Sequence, residues 1–194
     1  AITGACIDNI IIEIDNIEVP ILDGSAKQFS EKKENIGFTI QDAEKNYFEI
    51  KKTITFKDEE SGTSLIATPC ENYEINIEIN YNSETLGVQN ANLDNISDFK
   101  KDIASSRTFC FLHELEELID KNLVKGGNIN NAIVVVENEI NENKLKKLKH
   151  AFNNPKIQVN KNGYLNNLTL RHDNEPARHK LLDVIGDLSL VGRP

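Results

Sequence analysis

Four ionisable side chains stand close together near the end of the chain, His179, Lys180, Asp183 and Asp187, within the run Arg178 to Leu190. At about 100° per residue, a helix there places Asp183 near 40°, Asp187 near 80° and Lys180 near 100° from His179, which is one polar face. Val184, Leu188, Leu181 and Ile185 then fall between about 140° and 240°, the face that packs on a core. An imidazole and a carboxylate at i, i+4 lie side by side and bind one metal ion, as two histidines do in helical zinc motifs. The same spacing also describes a His–Asp or Lys–Asp pair on a wet surface, worth about 0.2–0.5 kcal/mol. Spacing alone leaves both readings open.

The elements that must hold this helix follow from periodicity. Residues 7–14 alternate around Ile7, Ile10, Ile12 and Ile14 and predict a half-buried strand. Glu18 to Ile21 is a further short extended piece. Asp23-Gly24-Ser25 is a turn, from which Ser25 caps a helix running from Ala26 to about Asn35 and stopped by Gly37. Strands are then expected at Tyr47 to Phe56, Ser64 to Thr68, and along Tyr73, Ile75, Ile77, Ile79 and Tyr81, where the alternation is strict. Asp94 to Ala104 reads as helical. The stripe Phe111, Leu112, Leu115, Leu118, Ile119 predicts a second helix, with Gly126-Gly127 as its stop. A buried strand at Asn131 to Val136 and a basic amphipathic helix at Glu142 to Phe152 follow, then extended pieces at Lys156 to Val159 and Tyr164 to Arg171. Interspersed strands, helices and meanders suit α+β layers better than a doubly wound parallel sheet.

The chain has 194 residues, formal net charge −9 and 27% charged residues, the profile of a globular protein. The acidic balance argues against nucleic acid as a partner, because holding phosphates needs clustered Lys and Arg. The run Lys144, Lys146-Lys147-Leu148-Lys149-His150 is more simply the solvated face of a helix. No apolar stretch approaches the roughly 20 residues of a transmembrane span. Cys6, Cys70 and Cys110 are an odd number without C-x-x-C spacing, which suggests free thiols and a cytoplasmic location. His113, His150 and His172 lack a second ligand at a metal spacing, and Gly126-Gly127 lacks the residues of a phosphate loop. Met is 0, so either the start was removed or the chain is an internal piece.

Several motifs occur in order: Ile7-Asp8-Asn9, Glu18-Val19-Pro20-Ile21-Leu22-Asp23-Gly24-Ser25-Ala26, Ser106-Arg107-Thr108-Phe109, Gly126-Gly127 with Asn131-Ala132-Ile133-Val134, and Arg178 to Leu188. Together they resemble the UDP-3-O-acyl-N-acetylglucosamine deacetylases, zinc amidohydrolases of lipid A synthesis, over essentially the whole chain. The stretch from about 138 to 166 and Asn174-Glu175-Pro176-Ala177 resemble the Bacteroidetes-type branch, in which the deacetylase can be fused to an acyl-carrier-protein dehydratase.

The resemblance implies two similar α+β units packed helix layer to helix layer, an arrangement like ribosomal protein S5 domain 2, with the site between them. Residues 1–44 would be a remnant of the first unit and 45–194 the second, with an acyl-chain insert at about 109–131. It implies Zn2+ as cofactor, His179 and Asp183 as metal ligands, and UDP-3-O-acyl-N-acetylglucosamine as substrate. Thr108 resembles the hydroxyl that stabilises the oxyanion, Lys180 the cation that contacts substrate, and Asp187 the carboxylate that orients a second histidine. Phe109 matches a residue stacking near the sugar or nucleotide. Thr108 as a loop or capping hydroxyl, Phe109 and Phe111 as core, and Asp23 as an Asx-turn residue are the plainer alternatives. The family's third ligand and general base lie in an H-x-x-E-H motif expected before Ala1, and its second histidine in a G-H-x-x-N motif expected after Pro194. The chain as given then reads as the middle of an enzyme. The alternatives are a non-catalytic fragment that binds acyl or nucleotide ligand, or an interaction module resembling ribosomal-protein domains.

Overall fold

The computed structural model describes residues 1–120 and 130–194. Beyond a 3-10 turn at Thr3–Ala5, the N-terminal part carries one regular element, helix α1 (Lys27–Ile36). The Asp23-Gly24-Ser25 turn launches it: the Asp23 carboxylate accepts from the Ser25 N–H and hydroxyl, and Ser25 Oγ accepts from the Lys27 N–H at 3.2 Å. Gly37 follows with φ +78°, the left-handed stop. The strand expected at residues 7–14 is absent. Those residues carry no regular element, and Ile10, Ile11 and Ile12 stand 51%, 90% and 58% exposed. Alternation supplies an apolar face, but a strand forms only where a second backbone offers hydrogen bonds.

Strand β1 (Ile54–Lys57) pairs antiparallel with β2 (Ser64–Ala67), so the strand expected from Tyr47 begins later than the pattern suggests. The strict alternation gives β3 (Ile75–Asn80), which pairs antiparallel with β4 (Val88–Leu93), a strand the sequence patterning had not indicated. Asn95 caps a 3-10 turn by accepting from Ser97 N–H, and the turn leads into α2 (Phe99–Asp102). Phe99 is buried against the first turn of the chain, where a Cβ on Gly4 would overlap its ring. Strand β5 (Phe109–Phe111) takes the start of the predicted second helix, and α3 (Leu112–Asp120) follows. The expected stop Gly126-Gly127, and the part of the expected insert from 121 to 129, lie outside the described residues.

Strand β6 (Ile133–Val135) runs parallel to β5, in register Phe109↔Ile133 to Phe111↔Val135. Helix α4 (Glu142–Ala151) is capped by the Asn141 side chain and buries Leu148 beneath its lysines. The pieces expected as extended after it make only the isolated bridges Val135↔Tyr164 and Val159↔Leu165 among the described residues. Helix α5 (Glu175–Leu188) starts three residues before the predicted Arg178, with Pro176 in its first turn, where a missing N–H costs nothing.

Strand β6 joins two cores. Ile133 and Val135 face Ile79, Leu93, Phe99 and the apolar side of α5, Ala177, Leu181 and Ile185. Val134 and Val136 face Leu112, Leu115, Leu148, Ile157 and Leu165. The two-residue side-chain period lets one strand fill both. Full burial of each such aliphatic side chain stabilises by about 1.5–3 kcal/mol, so β6 anchors β5 and the loop just before it. The whole is a mixed α+β structure, as the patterning predicts.

Candidate functional site

Helix α5 packs by Leu181 and Ile185 and presents His179 to the loop 105–108, with Lys180 and Asp183 beside it on the same helix. His179 Nδ1 lies 3.0 Å from the Ser106 carbonyl oxygen. A carbonyl only accepts, so Nδ1 carries a hydrogen, and Nε2 is the ring nitrogen left for another partner. Nε2 stands 3.5 Å from Asp183 Oδ1. The other Asp183 oxygen accepts from Lys180 Nζ at 3.0 Å. Burial alone would lower the Lys180 ammonium, but the hydrogen bond and charge of Asp183, with Tyr81 and Asp187, hold it above the usual lysine range.

Lys180 Nζ also lies 6.0 Å from the centre of the Phe109 ring. Phe109 meets Tyr81 and Phe111 edge to face, at 5.7 and 6.3 Å between ring centres. Phe111 in turn meets Tyr81 at 5.6 Å and stacks on His113 at 5.7 Å. Tyr81 is therefore a neighbour of the polar face that sequence reasoning missed, although the alternation that ends at Tyr81 was visible. Asp187 lies exposed one turn beyond Asp183.

An open groove of about 390 Å³ is lined by Thr108, His179 and Leu182 together with Ala1, Pro20, Ile21, Gly24 and Phe29. The turn at Gly24 is tied directly to the site strand, since its carbonyl accepts the Thr108 N–H at 2.8 Å. Gly24 has φ +78°, and a Cβ there would overlap the Asn131 carbonyl oxygen, so only glycine fits between the two backbones.

Beneath the groove runs a buried ionic network. Glu175 is 0% exposed and Arg107 only 4%. Glu175 Oε1 accepts from Arg107 N–H at 2.9 Å and Nε at 2.8 Å; Oε2 accepts from Arg107 Nη2 at 3.0 Å and Arg171 N–H at 2.6 Å. Burial would raise this carboxyl, but the bonds from Arg107 and Arg171 outweigh it and hold it below the usual range. Arg171 continues to Asp23 Oδ2 at 2.9 Å and to the Ser105 carbonyl at 2.7 Å. Asp23 is thus both the Asx-turn residue its neighbours suggested and an ion-pair partner. Sequence reasoning missed Glu175 and Arg171; an acid beside Pro176 signals a helix start, and nothing local names a buried partner.

Zinc is the metal that the resemblance implies, and the donor chemistry fits it in part. An imidazole nitrogen 3.5 Å from a carboxylate oxygen leaves a gap that one cation can bridge. Donors about 2.0–2.2 Å from one tetrahedral zinc stand roughly 3.3–3.6 Å apart, which spans the 3.5 Å found. Among the described residues no group of three or more His, Cys, Asp or Glu is placed to hold a metal. None of their helices is long and apolar enough to cross a membrane.

An α+β frame sets His179 and Thr108 in the lining of one groove, with Lys180 and Asp183 beside His179 on the same helix. The chain belongs to the UDP-3-O-acyl N-acetylglycosamine deacetylase family, whose model matches residues 1–153 and 148–194. It is 42% identical to a bifunctional enzyme LpxC/FabZ of Bacteroides thetaiotaomicron, over 97% of this chain and 41% of the relative. A protein of the same description from Porphyromonas gingivalis is 41% identical, over 96% of this chain and 40% of the relative. The UDP-3-O-acyl-N-acetylglucosamine deacetylase of Syntrophus aciditrophicus is 36% identical, over 100% of this chain and 54% of the relative. The chain thus spans between two fifths and a little over half the length of these curated relatives.

Proposed function

We propose that the protein of which these residues form part is a zinc-dependent deacetylase that removes the N-acetyl group of UDP-3-O-acyl-N-acetylglucosamine in lipid A synthesis. The observation that carries this is the His179–Asp183 donor pair, with His179 lining the groove, in a chain of the deacetylase family. His179 through Nε2 and Asp183 through Oδ1 would hold the metal. A zinc ion held there supplies Lewis-acid activation of water and polarisation of the acetamide carbonyl.

The chain's own residues supply the rest. Lys180 occupies Asp183 Oδ2, which directs the second carboxylate oxygen toward His179. The Thr108 hydroxyl, in the lining of the same groove as His179, donates to the oxygen on which charge develops as water adds. The ammonium of Lys180 contacts substrate and leans over Phe109, so Phe109 lines the sugar or nucleotide side. Asp187 orients a histidine contributed by the rest of the protein and keeps it charged for protonating the leaving amine.

The groove walls come from residues 1–29 and from 108 onward, which supports a site between two α+β units, 1–44 and 45–194. The higher identity to the bifunctional relatives supports a full-length protein fused to an acyl-carrier-protein dehydratase. Three free thiols suit the cytoplasm.

Zinc content and deacetylation of the full-length protein test this in His179→Ala and Asp183→Ala. Both variants are expected to lose metal and activity; retention of both properties in both would overturn the assignment. A second proposal follows from two donors where a catalytic zinc takes three protein ligands. The 194-residue chain alone binds acyl or nucleotide ligand without turnover, and measurable deacetylation by it would refute this.

A further inference from the structure

One peptide unit is gripped from both sides by side chains of α5. The N–H of the Ser106–Arg107 peptide donates to Glu175 Oε1 at 2.9 Å, and its carbonyl oxygen accepts from His179 Nδ1 at 3.0 Å. Glu175 and His179 are one helical turn apart, so they meet the same peptide from the same helix. In a trans peptide the N–H and C=O point in opposite directions, and bonds at both ends polarise each other. A carboxylate pulling on the N–H makes the carbonyl a stronger acceptor for the imidazole N–H.

We propose that Glu175 is a positioning residue that acts through the Ser106–Arg107 peptide to hold His179 in its Nδ1–H tautomer, with Nε2 turned to the groove. The inference rests on the reading of His179 as a metal ligand. A ligating histidine normally gives its other N–H to a carboxylate or a carbonyl. Here both are used in series, with the peptide as the link.

Glu175 does not line the groove itself. All four of its bonds are accepted within the fold, and it is wholly buried beneath the loop 105–108. Arg107 Nη2 also donates to the Thr169 carbonyl at 2.6 Å, so the guanidinium braces the carboxylate against sideways movement. Arg171, bonded to the Ser105 carbonyl, holds the preceding residue of the same loop.

The test uses full-length protein labelled with 15N-histidine and stripped of metal, with the His179 signal identified by its loss in His179→Gln. Long-range 1H–15N spectra then read the tautomer. The wild-type ring is expected as Nδ1–H, and Glu175→Gln is expected to populate Nε2–H. Zinc affinity, measured against a chromogenic chelator, should fall about tenfold or more in Glu175→Gln. The fall in deacetylation should appear in kcat with KM unchanged. A dominant Nε2–H tautomer in the wild type overturns the inference even if Glu175→Gln fails to fold. Loss of zinc in His179→Gln, with wild-type tautomer and affinity in Glu175→Gln, overturns the inference alone. Wild-type zinc affinity in His179→Gln overturns the metal reading on which it stands.

Discussion

Gly24 connects the first turn of the chain to the site, and replacing it with alanine tests that connection by an energy that can be worked out in advance. The residue has φ +78°, where a side chain costs about 1–2 kcal/mol. Its carbonyl accepts the Thr108 N–H at 2.8 Å, and an added Cβ overlaps the Asn131 carbonyl oxygen and comes 3.3 Å from Thr108 Cγ2. Backbone on both sides prevents an easy escape. Relief requires Gly24 to withdraw, breaking the bond to Thr108 at a further cost of about 1 kcal/mol. Gly24→Ala is therefore expected to destabilise by about 2–3 kcal/mol, read as a lower urea midpoint at unchanged m in the full-length protein. It should also lower deacetylation, because Thr108 moves with its backbone. Gly186→Ala is the matched control: Gly186 lies inside α5 with open space where its Cβ would be and an ordinary φ. There alanine is expected to stabilise by about 0.5–1 kcal/mol. A midpoint change below about 0.5 kcal/mol for Gly24→Ala, or a destabilising Gly186→Ala, would refute the packing argument.

Three further outcomes are expected. The Glu175 carboxyl is held below its usual range in the folded state, so its contribution is present above the unfolded carboxyl pKa and is lost as pH falls through the folded one. Urea midpoints measured from pH 6 down to about pH 3 should fall less steeply in Glu175→Gln, and equal slopes would contradict the linkage. Burial pushes the Cys110 thiol up to about 11, with the Glu114 charge adding to the effect. At pH 8 a disulfide reagent should therefore modify exposed Cys6 and Cys70 rapidly and Cys110 only on unfolding, as tryptic mass mapping of the labelled protein would show. Leu181 is 0% exposed on α5, the helix that packs against β3 and β4, so Leu181→Ala should cost about 2–5 kcal/mol in thermal or urea unfolding.

Much of the fold is legible in the order of residue types. The alternation before Tyr81 reads as β3, the basic amphipathic run from Glu142 reads as α4, and the two faces of α5 separate on a helical wheel, because each pattern is set by the geometry of one element. Residues 7–14 show the opposite outcome. Ile10 and Ile12 alternate as a strand does, yet no second backbone pairs with them among the described residues, and the pattern stays unrealised. Strand β4 escaped notice for the converse reason: Val88–Leu93 is a polar-rich stretch that becomes a strand because β3 lies beside it.

The site divides in the same way. That His179 and Asp183 lie side by side was determined by an i, i+4 spacing, and so was the presence of Lys180 near the same carboxylate. Helical geometry alone brings such residues together, whatever the rest of the chain does. Tertiary structure decided which atom of His179 is free, because the Ser106 carbonyl that takes Nδ1 is 73 residues away in the chain. It decided likewise that Glu175 is buried on Arg107, 68 residues distant, and that Asp23 meets Arg171 across 148 residues. A carboxylate's type tells what it can bond, but its partner is chosen by the packing of β6 and α5, which carries the loop 105–108 to the first turn of the helix.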